Sequence, residues 1–397
     1  MPVPPGFDVD ARLAALVDQL QETGALTDPQ WREAFLKVPR HRFVPDPVWA
    51  DDGVRGDGWM VPVGQDDPYW WENVYADFAL PTQVDDGIPE GEDERGRYTT
   101  SSASQPSRVA AMLEALQVED GMRVLEIGTA TGCNAALLSA RLGAENVTSI
   151  EIDPALAEQG RAALHAAGWD PCLVVGDGTA GVPECAPYDR VLATVAAKRV
   201  PYAWVEQTRP GGLVVTPWGN DYAATGLLRL DVGENGSAWG RIVGDAPFMW
   251  LRSQRSAKGP WSDHVDFEAP VRASRTTVEP ALVAEAGGGA EFVVGAMVPG
   301  LARALFHAED GSGEYTLWLY DTAGLWASVD YVPGAEKYAV EQAGPRDLWE
   351  ETEAAYRWWQ GRGRPGQGEF GVTLDRDGLR VWLGAAEETV AVLTEHR

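Results

Sequence analysis

A glycine-containing turn between two apolar segments gives the clearest chemical signal in the chain. A short apolar run over residues 124–127 leads into the turn, an apolar-periodic segment follows as far as Leu142, and a second apolar run ends at Glu151. This order predicts strand, tight turn, helix and strand. Gly128 and Gly132 carry no Cβ atom that would keep a ligand from the backbone. Glu151 follows the turn by about twenty residues, where a carboxylate accepts hydrogen bonds from both hydroxyls of a ribose. The spacing therefore favours a nucleoside-containing cofactor.

An acidic residue just ahead of the turn indicates which cofactor fits. A pyrophosphate needs N–H groups and a helix dipole directed at it, and Glu126 would repel that anion but attract a cationic sulfonium or an amino group. The pattern E-x-G-x-x-x-G resembles motif I of class I S-adenosylmethionine (SAM) methyltransferases. Ala130 stands where that family usually has a middle glycine. The resemblance implies SAM as the cofactor, and an ordinary glycine turn of an α/β domain is the alternative.

Five further segments, in one order along the chain, resemble the protein-L-isoaspartate O-methyltransferase family. They are VPRHRFVP at 38–45, YADFAL at 75–80, SQP at 104–106, GDGTAG at 176–181 and QTRPGGLVVTPWG at 207–219. The prolines of the first segment force extended or turn geometry, so we expect a structural connector there. His41 within it is expected to be structural rather than catalytic.

The resemblance implies roles for individual residues. Ser104 corresponds to a serine at the mouth of the SAM pocket and is the candidate catalytic residue, with Ser102 and Gln105 as candidate substrate-binding residues. A helix cap is the alternative role for Ser104, because serine is a preferred N-cap. Asp177 would accept a hydrogen bond from the adenine amino group. The implied cofactor-binding residues are Glu126, Gly128, Thr129, Ala130, Gly132, Glu151, Asp177, Gly178 and Thr194.

Composition limits the choice of partners and compartment. The formal net charge of −28 weighs against nucleic acid, because a polyanion would be repelled; a basic or neutral partner fits better, and general acidity for solubility is the alternative. No apolar run reaches the ~20 residues of a membrane span, and the N-terminus lacks the features of a signal peptide. We therefore expect no membrane association and a cytoplasmic protein. Cys133, Cys172 and Cys185 have neither metal-ligand spacing nor disulfide parity, so buried thiols and no metal site are expected.

The chain length of 397 residues allows two or more domains. We predict N-terminal helices and an acidic flap over 1–97, a SAM-binding core with a Rossmann-like α/β sheet over 98–250, and a C-terminal α+β domain over 251–397 that recognises a peptide. The acidic, glycine-rich stretch 85–97 cannot bury enough apolar surface to order itself. It is interpreted as a mobile flap, with a plain disordered loop as the alternative.

Apolar periodicity predicts several elements outside the core. One helical face is apolar in each of the segments 10–23 and 28–38. In the last region, residues 315–320 and 378–383 alternate as strands do, and the segment 349–359 is predicted to be an aromatic helix. Most of its tryptophans should be core, although tryptophan is also a common anchor at peptide interfaces.

Methyl transfer to a carboxylate needs no general base, because a carboxyl with an unperturbed pKa of about 4 is already ionised. The enzyme then acts largely by alignment and by excluding water. This fits a sequence without a convincing Ser-His-Asp set, metal cluster or catalytic lysine. The resemblance implies carboxyl O-methylation of an aspartyl or isoaspartyl residue, with Ser104 orienting the carboxylate.

The string TSSASQP and the added C-terminal domain resemble longer relatives of the family. Those relatives methylate one aspartate of a constrained, ribosomally made precursor peptide, and the ester then cyclises to an aspartimide. This resemblance implies a precursor peptide as the partner. General repair of isoaspartyl proteins, methylation of a small molecule, and a catalytically silent binding module are the alternatives.

Overall fold

The structure is a computed structural model that describes residues 3–53, 58–89, 95–223, 225–256, 261–284 and 288–393. The chain divides into two compact units. Unit 1 comprises Met1–Val195, Pro201–Thr216 and Arg229–Gly236, and unit 2 comprises Ala196–Val200, Pro217–Leu228 and Ser237–Arg397. The N-terminal region that was predicted over 1–97 therefore lies in the same unit as most of the predicted core.

Unit 1 is a layered α/β structure. Its helices are α1 (Val9–Glu22), α2 (Pro29–Lys37), α3 (Pro68–Val74), α4 (Pro106–Leu116), α5 (Cys133–Leu142), α6 (Pro154–Ala167) and α7 (Tyr202–Glu206). Its strands are β1 (Val48–Asp51), β2 (Met60–Val63), β3 (Leu80–Val84), β4 (Thr99–Ala103), β5 (Val124–Ile127), β6 (Val147–Glu151), β7 (Cys172–Val175) and β8 (Tyr188–Ala193), followed by β9 (Thr208–Trp218) and β10 (Gly226–Val232), which carry residues of both units.

A parallel sheet forms the centre of unit 1, with the strand order β7-β6-β5-β8-β9. All four residues of β5 and all five of β6 are buried, as expected for strands covered on both faces. Helix α6 begins at Pro154 after Asp153, whose carboxylate accepts the N–H groups of the first turn, and it ends at Gly168 in the left-handed conformation. The predicted succession of strand, turn, helix and strand is confirmed.

Two antiparallel hairpins accompany this sheet. Strand β1 pairs with β2, and β3 pairs with β4. The second hairpin leads directly into α4, so the segment 102–105 lies at the junction of a strand and a helix.

Unit 2 contains two antiparallel arrangements of strands. Its helices are α8 (Pro280–Ala284), α9 (Gly289–Met297) and α10 (Leu348–Gly361), and its strands are β11 (Ala238–Asp245), β12 (Val271–Thr276), β13 (Ala302–His307), β14 (Tyr315–Tyr320), β15 (Trp326–Tyr331), β16 (Tyr338–Ala343), β17 (Phe370–Asp375), β18 (Gly378–Leu383) and β19 (Thr389–Leu393). One sheet has the order β12-β16-β15-β14-β13, and the other strands run β11-β17-β18-β19. The strands predicted at 315–320 and 378–383 and the aromatic helix are confirmed.

Aromatic residues divide between the two faces of the five-stranded sheet. On β14, Leu317 and Leu319 are fully buried, whereas Trp318 and Tyr320 point to the other face and are half-buried. Trp349 of α10 and Trp326 of β15 belong to the core, as predicted for most of these tryptophans.

Residues 90–94, the middle of the predicted flap, lie outside the described residues. Its two ends are held by defined contacts. The buried Asp85 carboxylate accepts the backbone N–H groups of Arg97 at 2.8 Å and Tyr98 at 3.0 Å. Gly96 and Met60 exchange two backbone hydrogen bonds of 3.0 and 2.8 Å.

The cysteines depart from the expectation of buried thiols. Cys172 is exposed, and Cys133 and Cys185 are half-buried. Cys172 opens β7, which is the edge strand of the parallel sheet, and an edge position leaves one side of the strand uncovered. No helix in the described part of the chain is long and apolar enough to cross a membrane.

Candidate active site

The glycine turn is a left-handed loop at the end of β5. The φ angles of Gly128, Ala130 and Gly132 are +97°, +44° and +83°. A Cβ on Gly128 would lie 2.9 Å from the Thr194 hydroxyl oxygen, and one on Gly132 would lie 3.0 Å from the Gly160 carbonyl oxygen. The two glycines are therefore required both by conformation and by close approach.

The backbone of Ala130 is strained at this position, because the Cβ atom of alanine disfavours a positive φ. We expect Ala130→Gly to raise the free energy of unfolding by about 1 kcal/mol in denaturant titrations. The matched control is Ala135→Gly in the interior of α5, which should lower it by about 1 kcal/mol. An Ala130→Gly variant no more stable than the wild type would show that the loop is not strained at this residue.

The Glu151 carboxylate is fixed at the end of β6. One of its oxygens accepts the N–H of Ala130 at 2.8 Å, and the other accepts the N–H of Asp153 at 3.1 Å. The side chain is buried. Each carboxylate oxygen has a further lone pair, so the group can still accept the hydroxyls of a ribose.

A buried polar network surrounds Glu126. Its carboxylate accepts the Ser149 hydroxyl at 2.5 Å and the Asn134 amide at 2.7 Å. The Thr129 hydroxyl lies 2.6 Å from that of Ser149. Burial raises the pKa of Glu126 to about 7, against the effect of its two hydrogen bonds, and Glu151 raises it further. The Thr129 side chain is thus directed into this network.

The residues around the loop fit SAM by the chemistry they offer. Glu126 and Glu151 supply carboxylate acceptors, and the amide oxygen of Asn134 is a buried acceptor that has no hydrogen-bond partner among the described residues. Such a set suits a ligand that is cationic and carries hydroxyl and amino donors. A cavity of about 820 Å³ opens on the side of the loop that faces α6 and the segment 41–46, lined in part by Ala130, Thr131 and Gln159; Glu126 and Glu151 do not line it.

The raised pKa of Glu126 predicts a pH-dependent affinity for a cation. Below pH 7 the carboxyl is increasingly protonated and neutral, so SAM binding should tighten as the pH rises from 6 to 8, by up to about tenfold. Calorimetry of the wild type and Glu126→Gln at each pH isolates this component from the titration of SAM itself. S-adenosylhomocysteine, which lacks the sulfonium charge, should show a weaker dependence. Identical pH profiles for the two proteins would contradict the prediction.

Three other implied cofactor residues lie at the ends of β7 and β8. Asp177 is exposed, and one of its carboxylate oxygens accepts the Thr179 N–H at 2.9 Å, which leaves acceptor capacity for an amino group. The Gly178 carbonyl accepts the indole N–H of Trp204 at 2.8 Å. The Thr194 hydroxyl lies 2.7 Å from the Gly128 carbonyl and so supports the loop.

Ser104 lies in the segment 102–105, between β4 and α4. In the part of the chain that the structure describes, the half-buried Ser104 side chain makes no hydrogen bond. The helix α4 begins after Gln105, and the backbone N–H of Ser107 is capped by Asp77 at 2.8 Å. The alternative role of Ser104 as the helix cap is therefore wrong. Ser102 is half-buried on β4.

Asp77 and Arg40 are the residues of this site that the sequence interpretation missed. Asp77 accepts the Gln105 side-chain amide at 3.1 Å as well as capping α4. Arg40 donates to the backbone carbonyls of Ala103 and Ser104, both at 3.0 Å. The two residues lie in the VPR and YAD segments, so their family motifs were the available signal. His41, by contrast, lies 2.6 Å from the Tyr75 hydroxyl and is structural in that contact.

The hairpin that carries Ser104 is tied to the glycine-loop side of the unit. The Gln83 amide donates to the Asp153 carboxylate at 3.1 Å, and the Thr100 hydroxyl donates to Gln83 at 2.9 Å. Asp153 also donates its N–H to Glu151. A short chain of hydrogen bonds thus links β3 and β4 to the end of β6. Within the described residues, no group of three or more His, Cys, Asp or Glu is arranged to hold a metal ion.

A parallel sheet with a glycine loop after one strand and an oriented carboxylate after its neighbour is the arrangement expected of a class I SAM-dependent methyltransferase, and the comparisons with known proteins agree. The predicted fold class and cofactor are confirmed. The family model described as protein-L-isoaspartate(D-aspartate) O-methyltransferase matches residues 67–255. A protein-L-isoaspartate O-methyltransferase of Thermococcus onnurineus is 34% identical over 253 residues, 63% of this chain and 98% of the relative. The protein-L-isoaspartate O-methyltransferase 2 of Archaeoglobus fulgidus is 32% identical over 254 residues, 64% of this chain and 98% of the relative.

A solved structure of a protein-L-isoaspartate O-methyltransferase shares the fold, with a TM-score of 0.52, 22% identity and coverage of 94% of this chain and 100% of that chain. The chain therefore belongs to the protein-L-isoaspartate O-methyltransferase family, and it is a SAM-dependent methyltransferase.

Proposed function

We propose that this enzyme methylates the side-chain carboxylate of an aspartyl residue in a constrained, ribosomally made precursor peptide. The observation that carries the carboxylate assignment is the Ser104 hydroxyl, which has no hydrogen-bond partner among the described residues. The backbone carbonyl of Ser104 is bound by Arg40 at the junction of β4 and α4, so the position of the residue is fixed. A free hydroxyl donor at a fixed position suits an anionic acceptor that needs orientation but no deprotonation.

SAM supplies the methyl group when it is bound. Glu151 would hold the ribose hydroxyls, Asp177 the adenine amino group, and the Glu126 network the positive end of the cofactor. Ser104 would donate one hydrogen bond to the carboxylate oxygen that does not react, and this leaves the other oxygen free to form the new O–CH3 bond as the C–S bond breaks. The acceptor carboxylate is already ionised at neutral pH, so no proton has to move and no general base is needed.

The aspartyl methyl ester is a better electrophile than the carboxylate. The backbone amide nitrogen of the following residue can attack the ester carbonyl carbon, lose its proton and expel methanol, which leaves an aspartimide. We propose this cyclised peptide as the product.

Unit 2 supports a peptide substrate of defined structure. The curated relatives align with 253 or 254 residues of this chain, whereas the solved protein-L-isoaspartate O-methyltransferase covers 94% of it. On the five-stranded sheet, the Trp261 ring lies 4.5 Å from that of Trp318 and 5.3 Å from that of Phe306. Phe306 and the neighbouring Phe267 are 44% and 56% exposed. Partly exposed aromatic clusters are frequent anchors for peptides.

General repair of isoaspartyl proteins is the second candidate, and the names of the relatives favour it. Methylation of a small-molecule carboxylate is a third possibility, which turnover in the absence of any peptide would reveal. The peptide candidates differ in the acceptor: repair takes many unrelated isoaspartyl peptides, whereas precursor maturation takes one aspartate in one constrained sequence.

A competition assay separates the two. A constrained precursor peptide containing aspartate, its linear counterpart and a linear isoaspartyl peptide of the same length compete at equal concentration for the wild-type enzyme. Product ratios at low conversion give the relative kcat/KM values. The proposal expects the constrained aspartyl peptide to be preferred over both linear peptides. Preference for the isoaspartyl peptide, independent of its sequence, would assign the enzyme to repair.

A further inference from the structure

We propose that Arg40 is a positioning residue for methyl transfer, because its guanidinium clamps the backbone of the loop that carries Ser104. The side chain is 5% exposed. Its two terminal nitrogens share four N–H hydrogens among six carbonyl oxygens that belong to two separate segments. The acceptors are those of Asn73 (3.3 Å), Val74 (2.9 Å), Ala76 (3.4 Å), Phe78 (2.8 Å), Ala103 (3.0 Å) and Ser104 (3.0 Å).

The clamp joins the turn after α3 to the junction between β4 and α4. One nitrogen serves only the carbonyls of 73, 74 and 76, while the other serves those of 78, 103 and 104. The same turn contributes Asp77, which holds Gln105 and the first turn of α4. Ser104 is therefore fixed on one side by the hydrogen bond from Arg40 to its carbonyl. On the other side it is fixed by the hydrogen bonds of Gln105 and Ser107 to Asp77.

The chemistry of the clamp requires arginine. All six acceptors are neutral carbonyls, and the planar guanidinium offers its donors in a rigid fork, whereas a lysine ammonium offers three donors from one point. Burial of a cation among neutral groups is costly, and an apolar residue could fill the space at lower cost if only packing were needed. The geometry thus points to a residue retained to place Ser104.

Arg190 provides a matched comparison. It is also a buried arginine that donates to backbone carbonyls, those of Leu116, Gln117 and Asp189. It lies on β8 and has no contact with the Ser104 loop among these hydrogen bonds. Replacing either arginine by lysine should cost stability, but only the Arg40 replacement should affect catalysis specifically.

The test is a double-mutant cycle on the full chain, and it rests on the proposed carboxylate methylation with Ser104 as the orienting group. Single-turnover rates, peptide KM and SAM Kd are measured for Arg40→Lys, Arg190→Lys and Ser104→Ala, and for each arginine variant combined with Ser104→Ala, using whichever peptide the wild type methylates. Thermal unfolding confirms that each variant is folded at the assay temperature.

Arg40→Lys is expected to lower the rate by about 10- to 100-fold and to leave the SAM Kd within about twofold of the wild type, since the cofactor loop is intact. In the Ser104→Ala background it should cost little more, whereas Arg190→Lys should leave the rate unchanged in both backgrounds. A folded Arg40→Lys variant with the wild-type rate, or rate losses that add independently of Ser104, would overturn the inference while leaving the proposed function intact. A wild-type enzyme that methylates no peptide overturns both.

Discussion

Glu151→Ala is expected to weaken SAM binding by about 100-fold or more, because two effects coincide. The carboxylate is the proposed partner of both ribose hydroxyls, and it also accepts the N–H groups of Ala130 and Asp153. Its removal leaves these backbone donors without their acceptor and loosens a loop that already has a positive φ at Ala130. Calorimetric titration with SAM measures the effect directly.

The control for this variant is Glu158→Gln on α6, an exposed residue paired with Arg161. It removes one negative charge a short distance along the chain without touching the loop, and surface ion pairs contribute little. Its SAM Kd should match that of the wild type. If Glu151→Ala bound SAM as tightly as this control, the ribose would have to be held elsewhere.

Ser104→Ala is expected to lower kcat by about 100-fold while the SAM Kd stays at its wild-type value. The hydroxyl makes no hydrogen bond within the described structure, so the fold loses little when it is removed. What is lost is the donor that orients the acceptor carboxylate. Pre-steady-state methylation of the peptide, read by mass, separates this rate effect from a change in binding.

Ser107→Ala is the matched variant for Ser104. It changes another half-buried serine three residues along the chain and keeps the backbone N–H that Asp77 accepts. Its kcat should be close to that of the wild type. Equal rates for the two alanine variants would remove Ser104 from the proposed reaction.

The elements around the cofactor loop could be predicted because local sequence encodes them. Strand β5 spans Val124–Ile127, helix α5 ends at Leu142 and strand β6 ends at Glu151, as predicted, since the glycine turn and the length of the apolar runs mark their ends. Gly128 and Gly132 lie at positive φ where the motif placed them. In unit 2, the alternation along Tyr315–Tyr320 revealed β14 in the same way.

Contacts between distant residues could not be read from local pattern. Arg40 reaches the carbonyl of Ser104, 64 residues further along the chain, from a segment that seemed to be only a connector. Asp77, rather than Ser104, caps α4. Strand β12 was also missed, because five of its six residues are exposed and it is ordered by pairing with β16 rather than by an apolar face.

Ala130 shows how tertiary contacts override residue preference. Alanine disfavours positive φ, yet the hydrogen bond from its N–H to Glu151 holds the loop in that conformation. A Cβ on residue 160 would lie only 2.8 Å from the Ala130 carbonyl oxygen, so glycine at 160 leaves room for the loop. The sequence revealed a missing glycine but not that the residue in its place would keep the loop geometry.

The most direct test of the central claim is a mass time course. The wild-type enzyme is incubated with SAM and a constrained precursor peptide that contains a single aspartate, and the modified residue is located by fragmentation. The account predicts the gain of one methyl group on that aspartate, followed by loss of methanol, so that the final peptide is lighter than the starting peptide by one water. An unchanged peptide, or a methyl group on any other atom, would contradict it.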